Sequence, residues 1–217
     1  MANKLNNCYL INAPAGSGKT TEIKSIVQRC IIDNPKDNIL CITYTNRAAD
    51  ELSKGILSKN VFIGTIHSFL HFFLKPYFAH QDILELYFEI YGAQISERID
   101  NKSQKESIAE SNARYIEKYG KLDYDMVRNN IKVLSYNESP FSSLYYGGLS
   151  HDDLIGFSKA IFNRYPVIKK RMTSKYQFIF IDEYQDILDL QTETSRSKAS
   201  FAPCTLRNSL TLPILCL

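Results

Sequence analysis

Residues 13–20 read Ala-Pro-Ala-Gly-Ser-Gly-Lys-Thr, directly after the apolar run Cys8 to Asn12 and at the start of a helical period from Lys19 to Ile32. Strand, glycine turn, Lys-Thr and helix in that order is the context that a phosphate-binding loop requires. Glycines at 16 and 18 let backbone N–H groups turn inward around phosphates, and the helix N-terminus adds positive partial charge. Lys19 has the length to reach β and γ phosphates, and Thr20 offers a hydroxyl to magnesium. Ala13, Pro14, Ala15, Gly16, Ser17, Gly18, Lys19, Thr20 and Thr21 are therefore the candidate nucleotide-binding residues, with ATP and Mg2+ as the implied ligands. The pattern G-x-x-x-x-G-K-[ST] has glycine where Ala13 stands, so the backbone there must keep a negative φ. The plainer reading of the segment is a glycine turn with an exposed lysine.

Phe178-Ile-Phe-Ile181 is an apolar run that ends abruptly in Asp182-Glu-Tyr-Gln-Asp186. Carboxylates at the C-terminal end of a buried strand lie where open α/β sheets bind ligands. If this strand lies near the first, Asp182 joins Thr20 in the magnesium shell, Glu183 orients or deprotonates the water that attacks the γ phosphate, and Gln185 reads that phosphate. The catalytic candidates are thus Lys19, Glu183 and Gln185, and the metal candidates are Thr20 and Asp182. The competing reading is an acidic cluster that only caps a following helix.

Two further apolar runs, Ile39 to Tyr44 and Val61 to Ile63, each lead into a polar or glycine-containing turn. Helical periods fill the gaps at Lys19 to Ile32, Asn46 to Leu57 and Thr65 to Phe78. Alternating strands and helices predict an α/β fold with a parallel sheet flanked by helices. From about Gln81 to Gly148 the strand runs vanish, and amphipathic segments near Ile83 to Tyr91, Lys105 to Tyr119 and Tyr124 to Ser135 predict a helical insertion. Ser150 and Asp153 have capping-box spacing ahead of a helix from about His151 to Asn163. The expected division is 1–80 and 149–191 for the α/β domain, 81–148 for the insertion and 192–217 for a tail.

That tail has no Gly, Asp or Tyr and is broken by Pro203 and Pro213. It reads as non-native and disordered, as a frameshift or truncated reading frame would leave it. The formal net charge of the chain is +3, of which Arg196, Lys198 and Arg207 against Glu193 place +2 in the tail. The remaining +1 says almost nothing about nucleic acid. The five cysteines are odd in number and show no C-x-x-C pair, which points to reduced thiols in the cytoplasm. No run approaches a membrane span, and the first residues lack the pattern of a secretory signal.

Four blocks, Ala13 to Thr20, Ile42-Thr-Tyr-Thr-Asn-Arg-Ala-Ala49, Gly64-Thr-Ile-His-Ser-Phe69 and Ile181 to Asp186, resemble superfamily 1 DNA helicases of the UvrD/Rep/PcrA type in order and spacing. Asp152-Asp153-Leu154 is similar to the segment that these helicases place after their helical insertion. The short lead into Cys8 and the phrase Phe62-Ile-Gly-Thr65 also resemble phage-defence helicases of the Gabija type. The family's upstream glutamine segment, which recognises adenine, has no counterpart here.

The resemblance implies a P-loop NTPase, RecA-like domain with Walker A and Walker B blocks, ATP and Mg2+ as cofactors, and single-stranded DNA as a partner. It also leaves room for a nuclease or another subunit. It places Thr43, Tyr44, Asn46, Thr65 and His67 at the DNA strand. An aromatic face beside hydroxyl and amide groups suits a single strand, whereas core packing is the other reading of Tyr44 and Phe69. His67 and His71 stand four apart, yet the Glu of H-E-x-x-H and a third ligand are missing, which argues against zinc. A full helicase of this type continues with a second RecA-like domain that supplies arginines, so a chain ending at Leu217 is expected not to unwind DNA alone. Two alternatives stand beside the helicase reading. One is a P-loop nucleotide or metabolite kinase, which needs an arginine-rich lid that Arg98, Arg114 and Arg128 do not form in sequence. The other is a non-catalytic nucleotide-binding interaction partner.

Overall fold

The computed structural model describes residues 3–5, 8–10, 18–101, 104–137, 144–182 and 214–216. The chain divides into two compact units, residues 1–69 with 165–217 and residues 70–164.

The first unit is built on a six-stranded sheet. Its strands are β1 (Asn3–Leu5), β2 (Cys8–Leu10), β3 (Ile39–Thr43), β4 (Val61–Thr65), β7 (Phe178–Ile181) and β8 (Ile214–Cys216), in the spatial order β1-β2-β8-β7-β3-β4. All neighbours are parallel except β1 and β2. The α/β architecture read from the sequence is therefore the one observed. β8 lies between β2 and β7, so a single strand separates the strand before residues 13–20 from the strand before Asp182. Sequence reading assigned no element to β8 or β1. β8 comes from the Ile-Leu-Cys run at the end of the segment expected to be disordered.

β3 is buried along its whole length, as a strand flanked on both sides in a parallel sheet must be. Helix α1 (Lys19–Asp33) packs Ile23 and Val27 against Ile39, Cys41 and Phe180, with Leu52 of α2 (Asn46–Ser53) closing the same core. Ile26, Cys30 and Ile31 extend that face of α1 at helical spacing. Helix α2 stops at Ser53, short of the expected Leu57, where the Ile56 N–H donates to the Ser53 carbonyl at 3.0 Å. Helix α8 (Pro166–Lys175), which the sequence reading left unassigned, begins with proline at a position where a missing N–H is harmless.

The chain passes into the second unit within α3 (Ile66–Leu74). This unit holds α4 (Gln81–Asp100), α5 (Glu106–Tyr119), α6 (Tyr124–Asn130), α7 (His151–Arg164) and a parallel pair of two-residue strands, β5 (Ser135–Tyr136) and β6 (Gly148–Leu149). α6 ends at Asn130 rather than Ser135 because Ser135 joins β5 and its N–H donates to the Gly147 carbonyl at 2.9 Å. The expected capping box is formed: Asp153 N–H donates to Ser150 Oγ at 3.2 Å, and Ser150 N–H donates to Asp153 Oδ2 at 3.2 Å. The interior is rich in tyrosine, and its hydroxyls are tied off. Tyr87 donates to the Leu144 carbonyl at 2.9 Å, Tyr145 donates to Asn112 Oδ1 at 2.7 Å, and Asn130 donates to the Tyr115 hydroxyl at 2.9 Å. Burial raises the Tyr87 and Tyr91 phenols above their ordinary range and pushes Tyr145 up to about 12. Among the described residues no helix is long and apolar enough to cross a membrane.

Candidate nucleotide and nucleic-acid site

Gly18 caps α1 in the left-handed region, with φ at +83°, a conformation in which a Cβ would be strained. Its carbonyl already accepts from the Glu22 N–H at 3.0 Å, so the helix begins where the phosphate loop ends. Ala13, Pro14, Ala15, Gly16 and Ser17 lie outside the described residues, as do Glu183 and Gln185. Lys19 is the first residue of α1 and Thr21 is exposed on its first turn.

One contact links the two ends of the candidate site. The Thr20 hydroxyl donates to Asp182 Oδ2 at 3.4 Å, across 162 positions of sequence. Asp182 follows β7 directly, and its N–H donates to the Ile42 carbonyl at 2.9 Å, which extends the β3–β7 ladder by one bond beyond the strand. Its side chain is buried, at 3% exposure. Withdrawing a carboxylate from water costs about several kcal/mol unless charge and hydrogen bonds compensate it. Hydroxyl and carboxylate oxygens are the hard donors that magnesium prefers, so this pair fits that ion.

Strand register carries the site sideways along the sheet edge. Ile42 is paired with Ile181, and Thr43 with Thr65, so Asp182, Thr43 and Thr65 occupy the C-terminal ends of three adjacent strands. Thr43 is fully buried, and its hydroxyl donates to the Thr45 carbonyl at 3.0 Å. Thr45 in turn caps α2, its Oγ1 accepting from the Ala48 N–H at 3.1 Å. Between them Tyr44 is 46% exposed, which excludes the core-packing reading for this ring. Phe69 is the opposite case: it is buried, with edge-to-face contacts to Phe62 and Tyr176 at centroid distances of 5.5 and 5.7 Å. Asn46 is exposed at the start of α2, and His67 is buried in α3. Of the five candidate strand contacts, Tyr44, Asn46 and Thr65 thus present accessible surface.

Sequence reasoning named Thr45 only among the hydroxyls beside Tyr44 and missed its cap on α2, and it missed the contacts of Ser68. The Ser68 N–H donates to Thr65 Oγ1 at 3.3 Å, and Ser68 Oγ donates to the Thr65 carbonyl at 2.8 Å. A Cβ on Gly64 would stand 2.5 Å from Ser68 Oγ and 3.1 Å from the Phe62 ring, so glycine is needed there for close approach. The cap spacings Thr45 to Ala48 and Thr65 to Ser68 were the available signal.

A family model described as an AAA domain matches residues 2–195. The chain belongs to the AAA domain family, among the UvrD/Rep/PcrA-like helicase N-terminal regions. It is similar to DNA helicase II of Rickettsia typhi, with 28% identity over 88% of this chain and 33% of the relative. It is also similar to the ATP-dependent DNA helicase PcrA of Bacillus subtilis, at 27% identity over 82% of this chain and 27% of the relative. The Gabija protein GajB of Bacillus cereus matches at 23% identity over 82% of this chain and 36% of the relative. This AAA domain region therefore spans about a third of the length of the curated relatives it matches.

Proposed function

We propose that the chain is the ATP-binding and single-stranded-DNA-binding N-terminal domain of a UvrD-like ATP-dependent DNA helicase. The observation that carries this reading is the Thr20–Asp182 contact at 3.4 Å, one strand away from the Thr43–Thr65 pair. It brings the start of α1 and the end of β7 together at the edge that also presents Tyr44.

In this assignment backbone N–H groups of Ala15 to Gly18 and the first turn of α1 cradle the phosphates, and Lys19 neutralises the β and γ oxygens. Thr20 and Asp182 would hold Mg2+, which supplies further neutralisation of the charge that develops on those oxygens. Glu183 accepts a proton from the water that attacks the γ phosphorus as the bond to ADP breaks, and Gln185 orients the γ phosphate. Tyr44 offers a ring on which a base stacks, while Asn46 and Thr65 donate to the strand's phosphates. Thr43 and His67, both buried, hold that edge in shape. ATP-driven unwinding is the activity of the whole protein to which this region contributes one nucleotide site and one strand-binding edge.

The test is steady-state ATP hydrolysis and equilibrium ATP binding on the purified chain, with and without a single-stranded oligonucleotide. The strand should stimulate turnover, Glu183→Gln should keep Mg-ATP binding while removing turnover, and Lys19→Ala should abolish binding. Equal ATP affinity in wild type and Lys19→Ala would overturn the assignment.

A further inference from the structure

Helix α8 differs in charge from every other α-helix of the described residues. It carries Lys169, Lys170, Arg171 and Lys175 and no acidic residue, whereas each other α-helix with Lys or Arg also contains Asp or Glu. Its inward side is set by helical spacing. Thr173 and the following Tyr176 are buried, with Ile168, Lys169 and Met172 half-buried beside them. The opposite side exposes Lys170, Arg171 and Lys175, with Val167 and Ser174 between them. Arg171 and Lys175 stand one turn apart, about 5–6 Å between Cβ atoms.

Helix electrostatics does not account for this pattern. A cation in the last turn complements the macrodipole, which covers Lys175, but Lys169, Lys170 and Arg171 sit mid-helix. Like charges at i and i+4 oppose helix formation in isolation. An exposed cationic strip of this kind, in which Lys175 Nζ also lies over the Tyr176 ring at 5.3 Å, is complementary to a polyanion. A lipid surface fits less well, because an interfacial helix needs a broad apolar face toward the membrane. The apolar side of α8 is already directed into the protein, as the buried Thr173 and Tyr176 at its spacing show.

We propose that the outer face of α8 is an electrostatic docking strip for the phosphodiester backbone of a nucleic acid, engaged through Lys170, Arg171 and Lys175 without reading bases. The strip is separate from the Tyr44 edge, and it rests on the nucleic-acid-binding reading given above. Phosphate contacts position a nucleic acid and carry no sequence information, and they reveal themselves through salt dependence.

The experiment is fluorescence-anisotropy binding of labelled single-stranded and duplex oligonucleotides by the full 217-residue chain across a salt series. The variants are K170Q/R171Q/K175Q, the charge-preserving K170R/K175R, and Tyr44→Ala. Loss of three phosphate contacts should weaken binding about tenfold or more at low salt and reduce the log–log salt slope by roughly two to three. The arginine variant should bind as wild type does, and ATP binding should be unchanged in both α8 variants. A triple-glutamine variant with wild-type affinity and slope, alongside a weakened Tyr44→Ala, overturns the strip and leaves the Tyr44 edge standing. The reverse outcome, a flattened slope with no Tyr44 effect, supports the strip and removes the strand-stacking reading. Loss of binding to anionic phospholipid vesicles with no change toward either oligonucleotide also overturns the proposal, in favour of a membrane.

Discussion

The two ends of strands β7, β3 and β4 use similar polar residues to opposite effect. At the N-terminal end, Gln177 Oε1 accepts from the Asn38 N–H at 2.7 Å and the Asn38 carbonyl accepts from the Gln177 N–H at 2.9 Å. The Ile39 N–H donates to the Asn60 carbonyl at 2.9 Å, and Asn60 Nδ2 donates to the Pro35 carbonyl at 3.0 Å. These groups close on one another. At the C-terminal end, Asp182 Oδ2 accepts from the Thr20 hydroxyl at 3.4 Å, while Tyr44 and Asn46 face solvent. One end satisfies its polar groups internally and lends stability; the other is the edge at which open α/β sheets bind ligands and is the one proposed to do so here.

The largest effect should come from removing charge at the ligand end. Asp182→Asn should weaken Mg-ATP binding by roughly 2–3 kcal/mol, about 30- to 150-fold, because a charged acceptor is lost at the proposed metal position. The thermal unfolding midpoint without nucleotide should hold or rise, since a buried charge has gone. Calorimetric titration beside a melting curve checks both. A fall in stability with unchanged ATP affinity would make Asp182 structural and erase the contrast between the ends.

Next in size is Gly64→Ala at the end of β4. The new methyl would meet Ser68 Oγ at 2.5 Å and the Phe62 ring at 3.1 Å, and overpacking of this kind costs about 1–3 kcal/mol. Urea unfolding should show that loss, and Ser68→Ala in the same chain should recover part of it. Full stability in Gly64→Ala would mean that the Thr65–Ser68 cap yields easily.

The parts of this contrast that sequence makes legible are those with a local signature. The apolar runs that begin at Ile39, Val61 and Phe178 are continuous, so the strands and their parallel pairing follow from composition and order, whereas Gly64 and Thr65 extend β4 beyond the expected end at Ile63. The capping box at Ser150 and the length of α5 are equally local. Helix α8 escapes because its inward positions include Lys169 and Thr173, which dilute the apolar period, and β1 and β8 are only three residues long. Register is not local at all. Nothing near Thr43 in the chain announces that it pairs with Thr65 or that its hydroxyl is spent on Thr45, and exposure alone separates Tyr44 from Phe69.

The closed end supplies a sharper test of independence. Gln177→Ala leaves the Asn38 N–H without its 2.7 Å acceptor and should lower stability by about 1–2 kcal/mol. Mg-ATP affinity should not change, because the proposed ligand groups stand at the strand's other end. A parallel loss of ATP affinity would show that the two ends move together through β3 and β7.

The smallest effect belongs to Thr45, where the open end does contain one internally satisfied turn. Its hydroxyl accepts from the Ala48 N–H at 3.1 Å, and its carbonyl accepts from both the Thr43 hydroxyl at 3.0 Å and the Ala49 N–H at 3.1 Å. This turn fixes the backbone on which Tyr44 stands. Thr45→Ala should cost about 0.5–1 kcal/mol of stability, the low end for an exposed N-cap. It should also weaken single-strand binding by less than Tyr44→Ala does, since the ring remains but its support loosens. Thr45→Ser restores the capping oxygen and should return both quantities to wild type. If Thr45→Ala lowers stability yet leaves strand affinity untouched, the cap serves α2 alone and Tyr44 is held by the buried Thr43 without it.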